Sequence, residues 1–126
     1  MEKELSLNEY QEKAMATCMP SCDNISYMLF NLVGEVGELA SKIAKDIRKG
    51  NAIIESNHLC FTKQVGCGEA IERIEEYKKE AGDILWQLFG FFSAMGWKAN
   101  DVAVGNLDKL ADRASRGKID GDGDNR

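Results

Sequence analysis

Apolar residues recur at helical spacing through Ile25, Leu29, Leu32, Val36, Leu39, Ile43 and Ile47, while Asn31, Glu35, Glu38, Lys42, Asp46 and Lys49 share another side of the same stretch. This predicts a long amphipathic helix, capped by Asp23 or Asn24 and running to about Lys49, where Gly50 supplies the stop. Ahead of it, Ser6 and Glu9 form a capping-box pattern that opens a short helix, which closes before Pro20. A third helix is expected from about Glu69, after Gly66 and Gly68, to Gly96. From Ile84 onward that helix is apolar on nearly every side, which marks it as central to the fold. A fourth helix, capped by Asn100 or Asp101, is expected to end near Gly117. Residues 51–68 lack a helical period and contain β-branched residues, so they read as a loop with room for a short hairpin. The expected fold class is all-α, with a four-helix core in one domain spanning 1–126 and a flexible tail at about 117–126.

The apolar content of the second and third helices exceeds what a short chain can cover, so a homodimer or homotetramer is expected to complete the core. The charge narrows the choice of other partners. With 16 basic and 21 acidic residues the net charge is −5, the wrong sign for a protein that binds nucleic acid polymers or anionic membranes. The opening MEKELSLNEYQEK has no signal-peptide pattern, and no apolar run is long enough to span a bilayer, so a cytoplasmic protein is expected. Cys18, Cys22, Cys60 and Cys67 then read as reduced thiols. A zinc site shared with His58 is the sharper alternative, on loose spacing.

The chemistry concentrates in two acid pairs. Residues three apart on an α-helix differ by about 60° around the axis, so Glu35 and Glu38 form one acidic edge and Glu80 and Asp83 another. If the two helices pack through their apolar faces, the pairs meet as four carboxylates whose repulsion calls for a cation. Mg²⁺ suits such a site, because it prefers oxygen ligands and bridges carboxylates to phosphate oxygens. Gly34, Gly37 and Gly82 lie among these acids at a cost of about 1 kcal/mol each relative to alanine, and suggest close approach of a neighbouring backbone.

On the fourth helix Asn106, Lys109, Arg113 and Arg116 fall in one narrow sector, a cationic stripe suited to phosphate. Lys42 is a further candidate for the same role. Trp86, Phe89, Tyr27 and Trp97 are the candidates for an aromatic slot that receives a base, with Trp86 adjoining the second acid pair.

The segments NLVGEVGELASKIAKDIRKG, KKEAGDILWQLFGFFSAMGW and NLDKLADRASRGKIDGDGDNR together resemble the MazG-like nucleoside triphosphate pyrophosphohydrolases. The resemblance also takes in LNEYQEKAMAT and so covers most of the chain. It implies an all-α fold completed by oligomerisation into dimers or tetramers. It also implies Mg²⁺-dependent hydrolysis of nucleoside triphosphates, often deoxy or noncanonical, to the monophosphate and pyrophosphate. In that reading Glu35, Glu38, Glu80 and Asp83 hold the metal, and Glu35 or Glu38 acts as the catalytic base. Lys109 and Arg113, with Asn106, Lys42 and Arg116, neutralise the departing pyrophosphate. Two features depart from the family's pattern. Gly34 stands where many members carry a further glutamate, and the long span between Glu38 and Glu80 makes 51–68 look like an insertion. The alternative function is a non-catalytic helical protein that binds a nucleotide or a basic partner.

Overall fold

The computed structural model describes residues 2–125. It contains α1 (Leu7–Met15), a 3-10 turn at Pro20–Cys22, α2 (Ile25–Arg48), strands β1 (Ala52–Glu55) and β2 (His58–Phe61), α3 (Cys67–Ala94) and α4 (Ala99–Ser115). Local chemistry accounts for most of the boundaries. The Ser6–Glu9 capping box forms at the head of α1, with Glu9 N–H donating to Ser6 Oγ at 3.1 Å and Ser6 N–H to Glu9 at 3.0 Å. Asn24, rather than Asp23, caps α2 by accepting the Tyr27 amide at 2.8 Å. Gly50, Gly96 and Gly117 follow α2, α3 and α4 with φ of 74°, 75° and 67°, a left-handed backbone that ends each helix.

The start of α4 differs from the expected cap at Asn100 or Asp101. Lys98 occupies the cap position and gives no side-chain hydrogen bond. The orphan amides are met by α1 instead: Gln11 Oε1 accepts from Ala99 N–H and Asn8 Oδ1 from Asn100 N–H, each at 2.9 Å. Gln11 is itself buried, and its amide nitrogen donates to Ser93 Oγ and to the Trp97 carbonyl, so one side chain joins α1 to the α3–α4 corner. Phe89, Phe92 and Ala99 form the core there, with Tyr10, Leu88, Phe91 and Val102 packed round them.

Helices α2 and α3 make the most extensive pairing, and they run antiparallel. Asp46 bonds to Tyr77 and Arg73, Lys42 to Glu80, and Asn31 to Gln87, so each turn up α2 meets one turn down α3. The Met28 side chain lies against Gly90. A Cβ on Gly90 would stand 2.6 Å from Met28 Cε and 3.3 Å from Met15 Cε. Gly34, Gly37 and Gly82 do not serve the close approach expected of them. Nothing lies within 4 Å of a Cβ on Gly37 or Gly82, and Gly34 meets only the Asn31 side chain at 3.5 Å. The tight contact at a glycine is at Gly90 instead, where Met28 is fully buried. Gly90→Ala is therefore expected to destabilise the protein by about 1–2 kcal/mol despite better helix propensity. Gly82→Ala is expected to stabilise it by up to about 1 kcal/mol. Urea denaturation of the two variants tests the assignment, and equal shifts would refute it.

Residues 52–61 form an antiparallel hairpin with Ala52 opposite Phe61 and Glu55 opposite His58. Ser56 and Asn57 turn the chain with φ of 50° and 64°. The hairpin is tied to the helices through Asp46, which is 4% exposed. Its carboxylate accepts from Arg73, Tyr77 and Asn51, and its carbonyl accepts the Asn51 amide at 2.8 Å. Phe61 stacks on Tyr77 with centroids 6.5 Å apart. Residues of the tail also fold back, with Asp124 accepting from Lys109 at 3.2 Å and from Arg113 at 3.0 Å. No helix among the described residues is long and apolar enough to cross a membrane.

Candidate metal and nucleotide site

The antiparallel register of α2 and α3 brings Glu35 and Glu38 opposite Glu80. One carboxylate oxygen from each lies within 4.8 Å of the others, which is the spacing of a shared oxygen-ligand site. Asp83 is exposed and falls outside this group of three, but it borders the same cleft as Glu35. That cleft has a volume of about 170 Å³ and is lined by Tyr27, Asn31, Glu35, Asp83, Trp86 and Gln87. Two of the four aromatic candidates for a base slot, Trp86 and Tyr27, thus face it. Phe89 is core, and Trp97 packs against Phe91 and Phe92.

The electrostatics are unbalanced in the direction a cation would correct. Burial, followed by the charges of Glu38, Asp83 and Glu80, raises the Glu35 carboxyl above its ordinary value. Glu80 is shifted the other way, because Lys42 Nζ lies 2.7 Å from its Oε1 and holds the carboxyl down. Glu35 Oε2 and Glu80 Oε2 are both buried without a hydrogen-bond partner. Unpartnered buried carboxylate oxygens are costly, and a hard divalent ion satisfies them without a proton. The donor set therefore fits Mg²⁺ by its chemistry: oxygen ligands only, several negative charges and an open side. Among the described residues no group of cysteines with His58 comes together at such spacing.

The sequence places Asn31 and Gln87 beside the acid pairs, but their positioning role was not legible there. Gln87 is 2% exposed, with its amide nitrogen 3.5 Å from Met28 Sδ and its Oε1 accepting from Asn31 Nδ2 at 2.7 Å. The same Asn31 nitrogen lies 3.4 Å from Glu35 Oε1, so a chain of amides runs from the core to the glutamate. Both lie four residues from an acid, Asn31 before Glu35 and Gln87 after Asp83, which is the one signal in the sequence that could have found them.

The cationic stripe has a different setting. Helix α4 packs chiefly on α1, and no hydrogen bond or ion pair joins Asn106, Lys109 or Arg113 to the four acids. Arg113 is 5% exposed and pairs with Asp124, and Lys109 shares that partner. Arg116 bonds to Asp112 one turn away. Among the described residues Lys42 is a substrate-binding candidate that pairs with the acid group, through Glu80.

The model of the MazG nucleotide pyrophosphohydrolase domain matches residues 24–117, and the chain belongs to this family. It is similar to the Gene 37 protein of Mycobacterium phage L5, with 31% identity over 106 residues that cover 84% of this chain and 80% of that protein. No solved structure matches the chain. The all-α fold expected from the sequence is the fold observed, with one small hairpin added.

Proposed function

We propose that this protein hydrolyses nucleoside triphosphates, deoxy or noncanonical forms among them, to the monophosphate and pyrophosphate in the presence of Mg²⁺. The observation that carries the reading is the pair of buried, unpartnered oxygens on Glu35 and Glu80 inside a cluster of three glutamates. Glu35, Glu38 and Glu80 would hold Mg²⁺, with Asp83 reaching the same ions from the edge of the cleft. Bound there, the metal would offset the charge of a triphosphate and polarise the reacting phosphate. Glu35 and Glu38 are the candidate acceptors for the proton of the attacking water. Asn31 and Gln87 keep Glu35 in one orientation, and Trp86 with Tyr27 offers the base a stacking surface. Lys42, now paired with Glu80, can turn to phosphate once a metal takes over that carboxylate.

The chain is read as one domain of this type, with the hairpin as its insertion, and as a homodimer or homotetramer. Phe30 is 75% exposed and Val33 69% on α2, and Val104 is 55% and Leu107 64% on α4. An apolar surface of this kind marks an interface. A second copy would also give Asn106, Lys109 and Arg113, which pair with none of the four acids among the described residues, a route to the phosphates. Phe30→Asp with Val33→Asp is expected to yield a monomer in analytical ultracentrifugation. A wild type that sediments as a monomer at the same concentration would overturn the assignment.

The direct test of the activity is a panel of nucleoside triphosphates incubated with the protein and Mg²⁺, scored for equimolar monophosphate and pyrophosphate. Saturable nucleotide binding with no product would favour the non-catalytic alternative and end the hydrolase reading.

A further inference from the structure

Next to the carboxylate group, on the hairpin side, lies a second cavity of opposite sign. Its volume is about 260 Å³, and four cations line it: Lys42 and Lys45 from α2, Lys49 at the C-cap of that helix and Arg73 from α3. They face two carboxylates, Asp46 and Glu76, in a chain whose net charge is −5. The spacing on α2 explains the concentration, since residues 42, 45 and 49 are separated by three and four positions and so share one side of the helix.

Neither carboxylate forms an ion pair with Lys45 or Lys49 among the described residues. Asp46 is committed to Arg73, Tyr77 and Asn51. Arg73 also spends a nitrogen on Glu69, yet its Nε is buried with no hydrogen-bond partner. Lys45 and Lys49 have no ion-pair partner among the described residues. Three converging donors with unused capacity in one recess suit an anion with several oxygens. The volume lies below the roughly 300–1,000 Å³ of pockets that take whole small molecules, so the recess suits part of a nucleotide.

Lys42 belongs to both sites. It lines the cationic cavity while its Nζ contacts Glu80 in the acid group. A ligand whose first phosphate sits at the glutamates would pass Lys42 and place its outer phosphates among Lys45, Lys49 and Arg73. We infer that this recess between α2, α3 and the base of the hairpin is a diphosphate subsite that receives the β- and γ-phosphates of the substrate. The assignment of those phosphates to a substrate rests on the hydrolase reading above. The anion site itself rests on the geometry alone. It also gives the hairpin a part in the site, because Asn51 both precedes β1 and lines the recess.

The test uses pyrophosphate as the probe, titrated calorimetrically into the whole protein in the presence of a chelator. Without divalent metal the glutamates repel pyrophosphate, so binding reports the cationic recess. Wild type is expected to bind, and Lys45→Gln with Lys49→Gln to bind at least about tenfold more weakly. Melting temperature should hold in the double variant, because neither lysine has a partner to lose. Glu38→Gln should bind as well as wild type or better. Pyrophosphate affinity that is absent in wild type, or unchanged in the lysine variant, would overturn the subsite. An enzyme that turns over nucleotides while its pyrophosphate binding ignores both lysines would retain the hydrolase reading and lose this one. Lysine-dependent binding in a protein without turnover would do the reverse.

Discussion

Glu35→Gln is expected to raise the melting temperature of the metal-free protein while reducing nucleotide hydrolysis by about two to four orders of magnitude. Both effects come from one cause. Burial and the neighbouring acids disfavour the Glu35 carboxylate, so folding a charged Glu35 into this site is unfavourable without a cation. Its folded pKa lies above the ordinary 4.5, so the stability it contributes is present below that pH and is lost as pH rises through the folded value. Glutamine removes the charge at every pH and keeps the amide contact to Asn31 available. The same change removes a ligand and a candidate base. Thermal melts with and without Mg²⁺, alongside pyrophosphate release, check both halves. Mg²⁺ should raise the wild-type melting temperature more than that of the variant. Undiminished turnover by Glu35→Gln would remove Glu35 from the mechanism.

The second large effect is expected at a residue that does not touch the acid group. Asp46→Ala should destabilise the protein by about 3 kcal/mol, a fall in melting temperature on the order of 10 °C. Burial alone would raise the Asp46 carboxyl, but hydrogen bonds from Tyr77 and Asn51 and the charge of Arg73 outweigh it and hold the group below its ordinary 3.8. Its contribution is therefore present above pH 3.8 and is lost as pH falls through the lower folded value. Tyr77 mirrors it. Burial and the bond to Asp46 push the phenol up to about 12, so its contribution is present below pH 10 and is lost as pH rises toward 12. Spectroscopic titration gives a readout that simple loss of packing would not: in Asp46→Asn one tyrosine should titrate closer to 10 than it does in wild type. An unchanged Tyr77 titration would show that the bond to Asp46 does not govern it.

The two effects separate what holds the helix pair together from what the pair is for. Lys42 to Glu80 and Asp46 to Arg73 occupy successive turns of the same interface. Asp46 is fully partnered there, whereas Glu35 and Glu80 each keep a buried oxygen unsatisfied. A satisfied buried charge stabilises the fold, and an unsatisfied one costs stability that a ligand can return.

Much of this was legible in the sequence because it depends on neighbours three or four residues apart. Capping patterns and helical period located α1 to α4, glycines located the ends of α2, α3 and α4, and the Glu35–Glu38 and Glu80–Asp83 spacings put each acid pair on one side of a helix. Composition had already set the acidic surface and a surplus of apolar residues on the second and third helices, whereas the exposure of Val104 and Leu107 on α4 is seen only in the structure. What the tertiary structure decided is every relation between positions distant in the chain. The register of α2 against α3 grouped Glu80, but not Asp83, with Glu35 and Glu38, because a shift of one turn in that packing changes which acids face each other. It left the acid-flanked glycines without close neighbours and set the Met28 side chain against Gly90. It also set Arg113 against Asp124, gave the amides of α4 to Asn8 and Gln11, and gathered Lys45, Lys49 and Arg73 around one recess. Local spacing dictates which face of a helix a side chain occupies, but only packing dictates what that face meets.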